Sequence, residues 1–230
     1  MPEQAQAGTR IRIAIEGSDA VSGLLDAPAS PRACYVFGHG AGAGMEHAFM
    51  ARVALGLSER GFATLRYQFP YMERGSRRPD VPKVAHAAVR AAVEEAARRC
   101  PKLPLLAGGK SFGGRMTSQA QSASPLPGVV GLLFFGFPLH PTGKPSIDRA
   151  QHLAGVKVPM LFVQGTRDEM ADAGLMEPTV EALRATASLH WVPEGDHSLH
   201  VPAKSGRTDA QVLSAALDAA QRWIERIIER

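Results

Sequence analysis

The stretch from Leu103 to Met116 constrains the fold of this chain more than any other. It reads L-P-L-L-A-G-G-K-S-F-G-G-R-M, an apolar run followed by a serine between glycines and by a predicted helix start. Residues 109–113 match the pattern G-x-S-x-G, whose glycines permit a sharp and strained turn from strand to helix. Such a turn lifts the Ser111 hydroxyl above the sheet and sets the Phe112 N–H at a positively polarised helix N-terminus.

Two other interpretations of these letters are weaker. A plain glycine-rich loop would need no strand before it and no helix after it, yet the pattern predicts both here. A phosphate-binding loop, G-x-x-x-x-G-K-[ST], also ends in Gly-Lys-Ser, but its first glycine would fall at Pro104. The phosphate loop is therefore rejected, and the plain loop stays as the less favoured alternative.

Apolar strand-like runs alternate with helical segments along the whole chain. The predicted strands cover residues 10–15, 20–25, 33–37, 62–67, 103–107, 129–135, 158–163 and 189–192, and the predicted helices cover residues 46–60, 83–99, 112–123, 148–153, 177–185 and 209–230. This alternation requires an α/β fold with a mostly parallel sheet of about seven or eight strands and helices on both faces. We expect a single domain over residues 1–230, with residues 1–9 as a loose tail. Residues 137–159 are too few for a large lid.

Composition and charge argue against several classes of function. The net charge of +4 comes from scattered residues, without the basic stripe and interleaved aromatics that nucleic-acid binding favours. No apolar run is long enough to span a membrane, the N-terminus lacks an apolar signal core, and two cysteines do not make a disulfide framework. We therefore expect a cytoplasmic protein with no nucleic-acid or membrane partner. The oligomeric state is not predicted.

Three reactive residues follow three of the predicted strands: Ser111, Asp168 and His197. Ligands of an open parallel sheet bind beyond the carboxyl ends of its strands, so these side chains are expected to meet there. A serine hydroxyl needs a base to remove its proton, and a histidine has a suitable pKa. An aspartate would then hold the imidazole tautomer and stabilise the imidazolium. The chain order of nucleophile, acid and histidine is one in which this triad occurs.

Neighbouring residues remain alternatives for two of these roles. Glu169 and Asp172 lie close to the predicted acid, whereas Asp196 is interpreted as a residue that shapes its loop. Among the histidines near the C-terminus, His190 is predicted inside a strand, and His200 lies three residues beyond the predicted base. The Gly-Asp-His sequence directly after the last strand suits a loop that reaches back over the sheet.

The second oxyanion donor is expected in the loop after the strand at residues 33–37. His39-Gly40-Ala41-Gly42 resembles the H-G-G-G motif, and its small residues let a backbone N–H approach a developing negative charge. We expect Ala41 to donate together with Phe112, with Gly42 as the fallback. His39 is interpreted as ordering this loop.

Several polar and aromatic residues are candidates for substrate binding. The positive or titratable ones would favour an anionic group on the substrate, and the aromatic ones would form an apolar wall. Structural pairing, solvation and core packing are the alternatives. The candidates are His39, Phe69, Tyr71, Lys110, Arg115, His140 and Lys144.

The strained turn at residues 109–113, called the elbow below, is one basis of a family resemblance, together with Asp168 and His197. On these residues, the chain resembles the α/β-hydrolase superfamily over nearly its whole length. Its lidless layout looks like that of dienelactone-hydrolase-like proteins and small esterases. Four segments look like the testis-expressed hydrolase-like family, a related domain of which occurs in a subunit of the NSL histone acetyltransferase complex. These segments are residues 39–42, 66–71, 109–116 and 138–141. The superfamily implies hydrolysis of an ester, thioester, amide or related bond.

The resulting hypothesis is a serine hydrolase of carboxylesterase type that forms an acyl-enzyme on Ser111 and needs no metal or cofactor. Serine at this position resembles the serine esterases more than the dienelactone hydrolases that use cysteine. The expected partner is a small-molecule acyl substrate. Two alternatives stay open: a non-catalytic binding module of the same fold, and an acyltransferase or thioesterase.

Overall fold

The computed structural model describes residues 8–229. Within that range eight strands form one sheet in the order β1-β2-β4-β3-β5-β6-β7-β8. The strands are β1 (Thr9–Ile15), β2 (Ser18–Asp26), β3 (Cys34–Gly38), β4 (Ala63–Tyr67), β5 (Leu105–Lys110), β6 (Val129–Phe135), β7 (Met160–Gly165) and β8 (Ala187–Val192). β1 and β2 form an antiparallel hairpin at one edge, β2 pairs antiparallel with β4, and all other pairs are parallel. The predicted α/β fold with a mostly parallel sheet is confirmed.

Helices cover both faces of this sheet. They are α1 (Ala48–Glu59), α2 (Pro70–Glu73), α3 (Pro82–Arg99), α4 (Phe112–Ala123), α5 (Ala173–Ala182) and α6 (Asp209–Ile228), with 3₁₀ helices at Asp148–Gly155 and Ala203–Ser205. One core cluster packs α1 and α6 against one face, and a second packs α3, α4, α5 and the first 3₁₀ helix against the other. Because both faces are covered, β3, β4, β5 and β7 are buried along their whole length.

Three local predictions need correction. The loose tail was placed at residues 1–9, but Thr9 already pairs with Leu25 in β1, and residues 1–7 lie outside the described range. Residues 68–82 are predicted as a loop, but they contain α2, which begins with a proline, a residue suited to the first position of a helix. Helix α5 begins at Ala173, before the predicted residue 177, and it includes Pro178 in its interior.

The segment between β6 and β7 adds a loop and a 3₁₀ helix but no domain over the carboxyl edge of the sheet, as far as residues 8–229 show. None of the helices described is both long and apolar enough to cross a membrane. The carboxyl edge, where β3, β5, β7 and β8 end, is therefore open for a site.

Candidate active site

Ser111 occupies the turn between β5 and α4 in a strained conformation. Its φ of 50° and ψ of −112° place a non-glycine residue in the left-handed region. The turn is tight because the chain passes against the end of β3. A Cβ added to Gly113 would lie 2.2 Å from the Gly38 carbonyl oxygen, and one added to Gly109 would lie 2.4 Å from the same atom. The flanking glycines are therefore required by close backbone contact.

The structure brings Ser111, His197 and Asp168 into one chain of hydrogen bonds. His197 Nε2 lies 2.8 Å from Ser111 Oγ, and His197 Nδ1 lies 2.7 Å from Asp168 Oδ2. Asp168 is 3% exposed, and it also accepts from the Gln164 amide at 2.5 Å and from the Met170 N–H at 2.8 Å. With the carboxylate accepting from Nδ1–H, Nε2 is left to accept the serine proton.

The other acidic residues near Asp168 and His197 in the sequence do not bond to the His197 ring. Glu169 is exposed, and Asp172 is the N-cap residue of α5. Asp196 accepts from the N–H groups of Ser198 at 2.7 Å and His200 at 2.9 Å. Asp196 therefore shapes the loop, as the sequence predicts.

The other C-terminal histidines also lie away from the serine. His190 is within β8, and His200 bonds through Nδ1 to the Asp209 carboxylate at 2.9 Å. This carboxylate raises the pKa of His200 above its ordinary value. His200 and Asp209 line the rim of the cleft, and neither contacts the serine hydroxyl.

A cleft of about 410 Å³ lies beside Ser111. Its lining includes the loop after β3, the start of α1 and the loop that carries His197. The lining residues are Gly40, Ala41, Ala43, His47, Phe49, Met50, Arg52, Lys110, Ser111, Met170, His197, Ser198, His200 and Asp209. The residues from α1 were not predicted, although the segment that directly follows the oxyanion loop must lie close to the serine.

Two backbone N–H groups without protein acceptors, within the part of the chain that the structure describes, are candidates for an oxyanion hole. Phe112 is the first residue of α4, whose first-turn N–H groups have no partner within the helix. Ala41 lines the cleft, and among residues 8–229 neither N–H donates to a protein acceptor. The Gly42 N–H, the predicted fallback, instead donates to the Tyr71 hydroxyl at 3.0 Å. We therefore keep Ala41 and Phe112 as the proposed donors.

His39 and Tyr71 support the oxyanion loop from beneath and do not line the cleft. His39 is fully buried, its Nδ1 donates to the Gly40 carbonyl at 2.8 Å, and its Nε2 accepts from the Phe69 N–H at 3.1 Å. Burial lowers the pKa of His39 to about 4, so the ring is neutral and can play both roles. The substrate-binding prediction for His39, Phe69 and Tyr71 is corrected accordingly, because all three are buried and none of them lines the cleft.

Lys110 lines the cleft, but its ammonium is directed at the protein. Nζ donates to the carbonyl of His197 at 2.5 Å, so β5 holds the loop of the candidate base. Burial lowers the pKa of Lys110 to about 8, while the nearby Asp168 and Asp196 carboxylates oppose that shift. Lys110 therefore anchors the histidine loop, in contrast to the predicted contact with a substrate anion.

The remaining candidates lie away from the cleft. His140 is buried, donates to the Pro141 carbonyl at 2.9 Å and accepts from the Asp172 N–H at 3.3 Å. Lys144 is exposed, and Arg115 is half-buried on α4. None of the three lines the cleft. Residues 8–229 contain no cluster of three or more side chains suited to hold a metal ion.

The chain matches a family model described as an alpha/beta hydrolase domain over residues 31–225. Its fold is similar to that of a dienelactone hydrolase from Anabaena variabilis, with a TM-score of 0.76, 19% identity, and 96% and 97% of the two chains covered. It is also similar to XC6422 from Xanthomonas campestris, described as an α/β serine hydrolase without lid, with a TM-score of 0.74, 19% identity, and 97% and 98% covered. Est1E from Butyrivibrio proteoclasticus matches with a TM-score of 0.73, 16% identity, and 97% and 100% covered.

Proposed function

Because the chain belongs to the alpha/beta hydrolase domain family, we propose that it is a serine hydrolase that cleaves an ester or related acyl bond. The observation that carries this proposal is the continuous hydrogen-bonded chain from Ser111 through His197 to the buried Asp168. This chain begins at a strained elbow whose hydroxyl faces a cleft.

Acylation begins when Ser111 Oγ attacks the carbonyl carbon of the substrate. As the new C–O bond forms, His197 Nε2 takes the hydroxyl proton, and Asp168 stabilises the imidazolium. The carbonyl oxygen becomes negatively charged and accepts from the N–H groups of Ala41 and Phe112. The tetrahedral intermediate then expels the leaving oxygen, which takes the proton from His197 and departs as the alcohol.

Deacylation repeats these steps with water as the nucleophile. His197 removes a proton from the water as its oxygen bonds to the acyl carbon, and the bond to Ser111 Oγ then breaks. The proton passes back to the serine, the carboxylic acid leaves, and the enzyme is regenerated. A different acceptor in place of water would make the same residues an acyltransferase.

The size of the cleft favours a small substrate. A volume of about 410 Å³ lies at the lower end of the range for small-molecule sites, about 300–1,000 Å³. Phe49 and Met50 provide apolar surface beside the serine, and no inserted domain extends this surface within residues 8–229. We therefore propose esters with short acyl chains.

Labelling with a fluorophosphonate probe tests the nucleophile directly. The wild-type protein is expected to be labelled at Ser111, and Ser111→Ala is expected to stay unlabelled with an unchanged circular dichroism spectrum. Ser118→Ala is a matched control, since Ser118 lies two turns along the same helix and bonds to His152. A folded wild-type protein without label, or equal labelling of Ser111→Ala, would contradict the proposal.

A panel of p-nitrophenyl esters of increasing chain length tests the substrate class. We expect kcat/KM to fall as the acyl chain outgrows the cleft. A preference for long chains would contradict the short-chain proposal without touching the nucleophile, which the labelling experiment tests separately.

We also propose the narrower kinship with the testis-expressed hydrolase-like family. Its support is that the four resembling segments surround the candidate site. Residues 39–42 form the oxyanion loop, residues 66–71 lie beneath it, and residues 109–116 form the elbow. Residues 138–141 bond to the loop that carries Asp168, through the Met170 carbonyl.

A further inference from the structure

A group of basic side chains lies between three helices on the face of the sheet opposite α1 and α6. Arg115 projects from the end of the first turn of α4, and Arg149 comes from the 3₁₀ helix Asp148–Gly155, which packs against α4. His86 of α3 and His152 of the 3₁₀ helix complete the group. Both arginines are half-buried, so their guanidinium groups are partly removed from water.

Neither guanidinium has a protein partner among residues 8–229. Arg115 Nε is buried without any hydrogen-bond acceptor, and neither arginine forms an ion pair within that range. The acid that precedes Arg149, Asp148, is exposed and accepts from the Gln151 amide at 3.2 Å. Elsewhere the chain pairs a buried guanidinium with a carboxylate, as Arg66 does with Asp26 at 2.9 Å.

The pKa shifts within this group have burial and positive neighbours as their main causes. Burial lowers the pKa of Arg115, and the Arg149 guanidinium lowers it further. Burial also lowers the pKa of His152 to about 4, with further contributions from Arg115 and His86. No carboxylate contributes to any of these shifts, or to the lowered pKa values of Arg149 and His86. The two guanidinium groups therefore repel each other without compensation.

We propose that Arg115 and Arg149 bind a small oxyanion, a phosphate or carboxylate group, between α4 and the 3₁₀ helix. The planar guanidinium fork matches the geometry of both groups, and an oxyanion supplies the acceptor that Arg115 Nε lacks. It also cancels the repulsion between the two cations. The neutral imidazoles of His86 and His152 leave the arginines as the charged groups of the site.

The site is near the candidate nucleophile along the chain. Arg115 follows Ser111 by four residues at the start of α4, although neither arginine lines the cleft. The oxyanion therefore has two possible sources: a free anion, or an anionic substituent of the ester substrate. The second source rests on the proposed function, whereas binding of the anion itself does not.

Titration calorimetry of the full chain with inorganic phosphate, at constant ionic strength set with chloride, tests the site. We expect saturable binding by the wild-type protein and a Tm that rises by about 2–4 °C when phosphate is at about five times its Kd. Arg149→Gln is expected to weaken binding by about tenfold or more. Arg222→Gln is the matched control, because Arg222 is exposed on α6 across the sheet. Absence of saturable binding, or equal binding by Arg149→Gln and the wild type, would overturn the proposal.

A second measurement separates anion binding from a merely structural role. Without phosphate, Arg149→Gln removes an uncompensated repulsion, so its Tm is expected to equal or exceed that of the wild-type protein. With saturating phosphate the order is expected to reverse. A Tm for Arg149→Gln that is lower by the same amount with and without phosphate would assign Arg149 to packing and overturn the proposal.

Kinetics with two esters identify the source of the anion. Mono-p-nitrophenyl succinate carries a carboxylate, and p-nitrophenyl butyrate is its uncharged counterpart. A substrate-borne anion predicts that Arg149→Gln raises KM about tenfold for the succinate ester alone and that phosphate competes with that ester. A free anion predicts no change in either KM while calorimetry still detects binding. If the wild-type protein hydrolyses neither ester, that result would count against the proposed function and leave the calorimetric result standing.

Discussion

Lys110 allows a quantitative test of how the candidate base is held in place. Its ammonium is buried, donates to the His197 carbonyl, and has a pKa lowered from 10.5 to about 8, chiefly by burial. A tenfold change in proton affinity corresponds to about 1.4 kcal/mol. Keeping this lysine charged in the folded protein therefore costs about 3 kcal/mol of stability.

This cost depends on pH in a defined direction. Below pH 8 the lysine is protonated in the folded and unfolded chains, so the whole cost is present. Between pH 8 and 10.5 the folded protein loses the proton first, and its stability rises with pH through that window. Lys110→Met keeps the aliphatic stem and removes the titration. From pH 7 to 10.5, the free energy of unfolding of the wild type is therefore expected to gain about 3 kcal/mol relative to the variant.

Urea unfolding of both proteins at several pH values from neutral to alkaline measures this difference. Burial raises the pKa of Tyr35 and Tyr67, but both tyrosines are present in both proteins and their effect cancels. Lys204→Met is the matched control, since Lys204 is exposed and its substitution changes the charge equally. A difference between wild type and Lys110→Met that stays constant with pH, within about 0.5 kcal/mol, would refute the reasoning.

Three further predictions concern the candidate site and its support. Asp168→Asn is expected to lower kcat by about 10⁴ with little change in KM, because His197 is no longer held in the tautomer whose Nε2 accepts the serine proton. Ester hydrolysis measures this change, and a near-normal kcat would exclude Asp168 as the acid. Gly113→Ala is expected to destabilise the protein severely, because its Cβ would lie 2.2 Å from a backbone oxygen. Gly40→Ala is the comparison, since the nearest atom to its Cβ would lie at an ordinary contact distance of 3.5 Å. Thermal unfolding measures both variants, and equal Tm values would contradict the packing argument. Tyr71→Phe is expected to lower kcat about fivefold by removing the hydroxyl that accepts from the oxyanion loop; a loss confined to stability would show that the hydroxyl does not position that loop.

The elbow and the strand ends were predictable because their determinants are local. Residues 109–113 encode a turn through glycines at fixed spacing, and continuous apolar runs mark strands that are covered on both faces. The structure places His197 within hydrogen-bond distance of both Ser111 and Asp168, and the catalytic roles of the three residues stay a prediction.

The partners of individual polar groups were not predictable from the sequence. The Gly42 N–H faces the Tyr71 hydroxyl, and Lys110 faces a backbone carbonyl from a loop 87 residues away. Such pairings depend on how distant loops pack, which periodicity and motif spacing do not encode. Helix α2 escaped prediction for a related reason, since its four residues carry too little periodicity to separate them from the surrounding loop.

The attachment of the histidine loop to β5 has a consequence for position 197. Lys110 donates to the main-chain carbonyl of that residue, a group that every amino acid possesses. The loop is therefore fixed independently of the side chain it displays. Removal of the imidazole by His197→Ala would leave the loop in place and open a space of the imidazole's own shape between Ser111 and Asp168. The loop is thus held separately from the side chain of the proposed base, and imidazole added in solution is expected to bind in the space that the variant leaves.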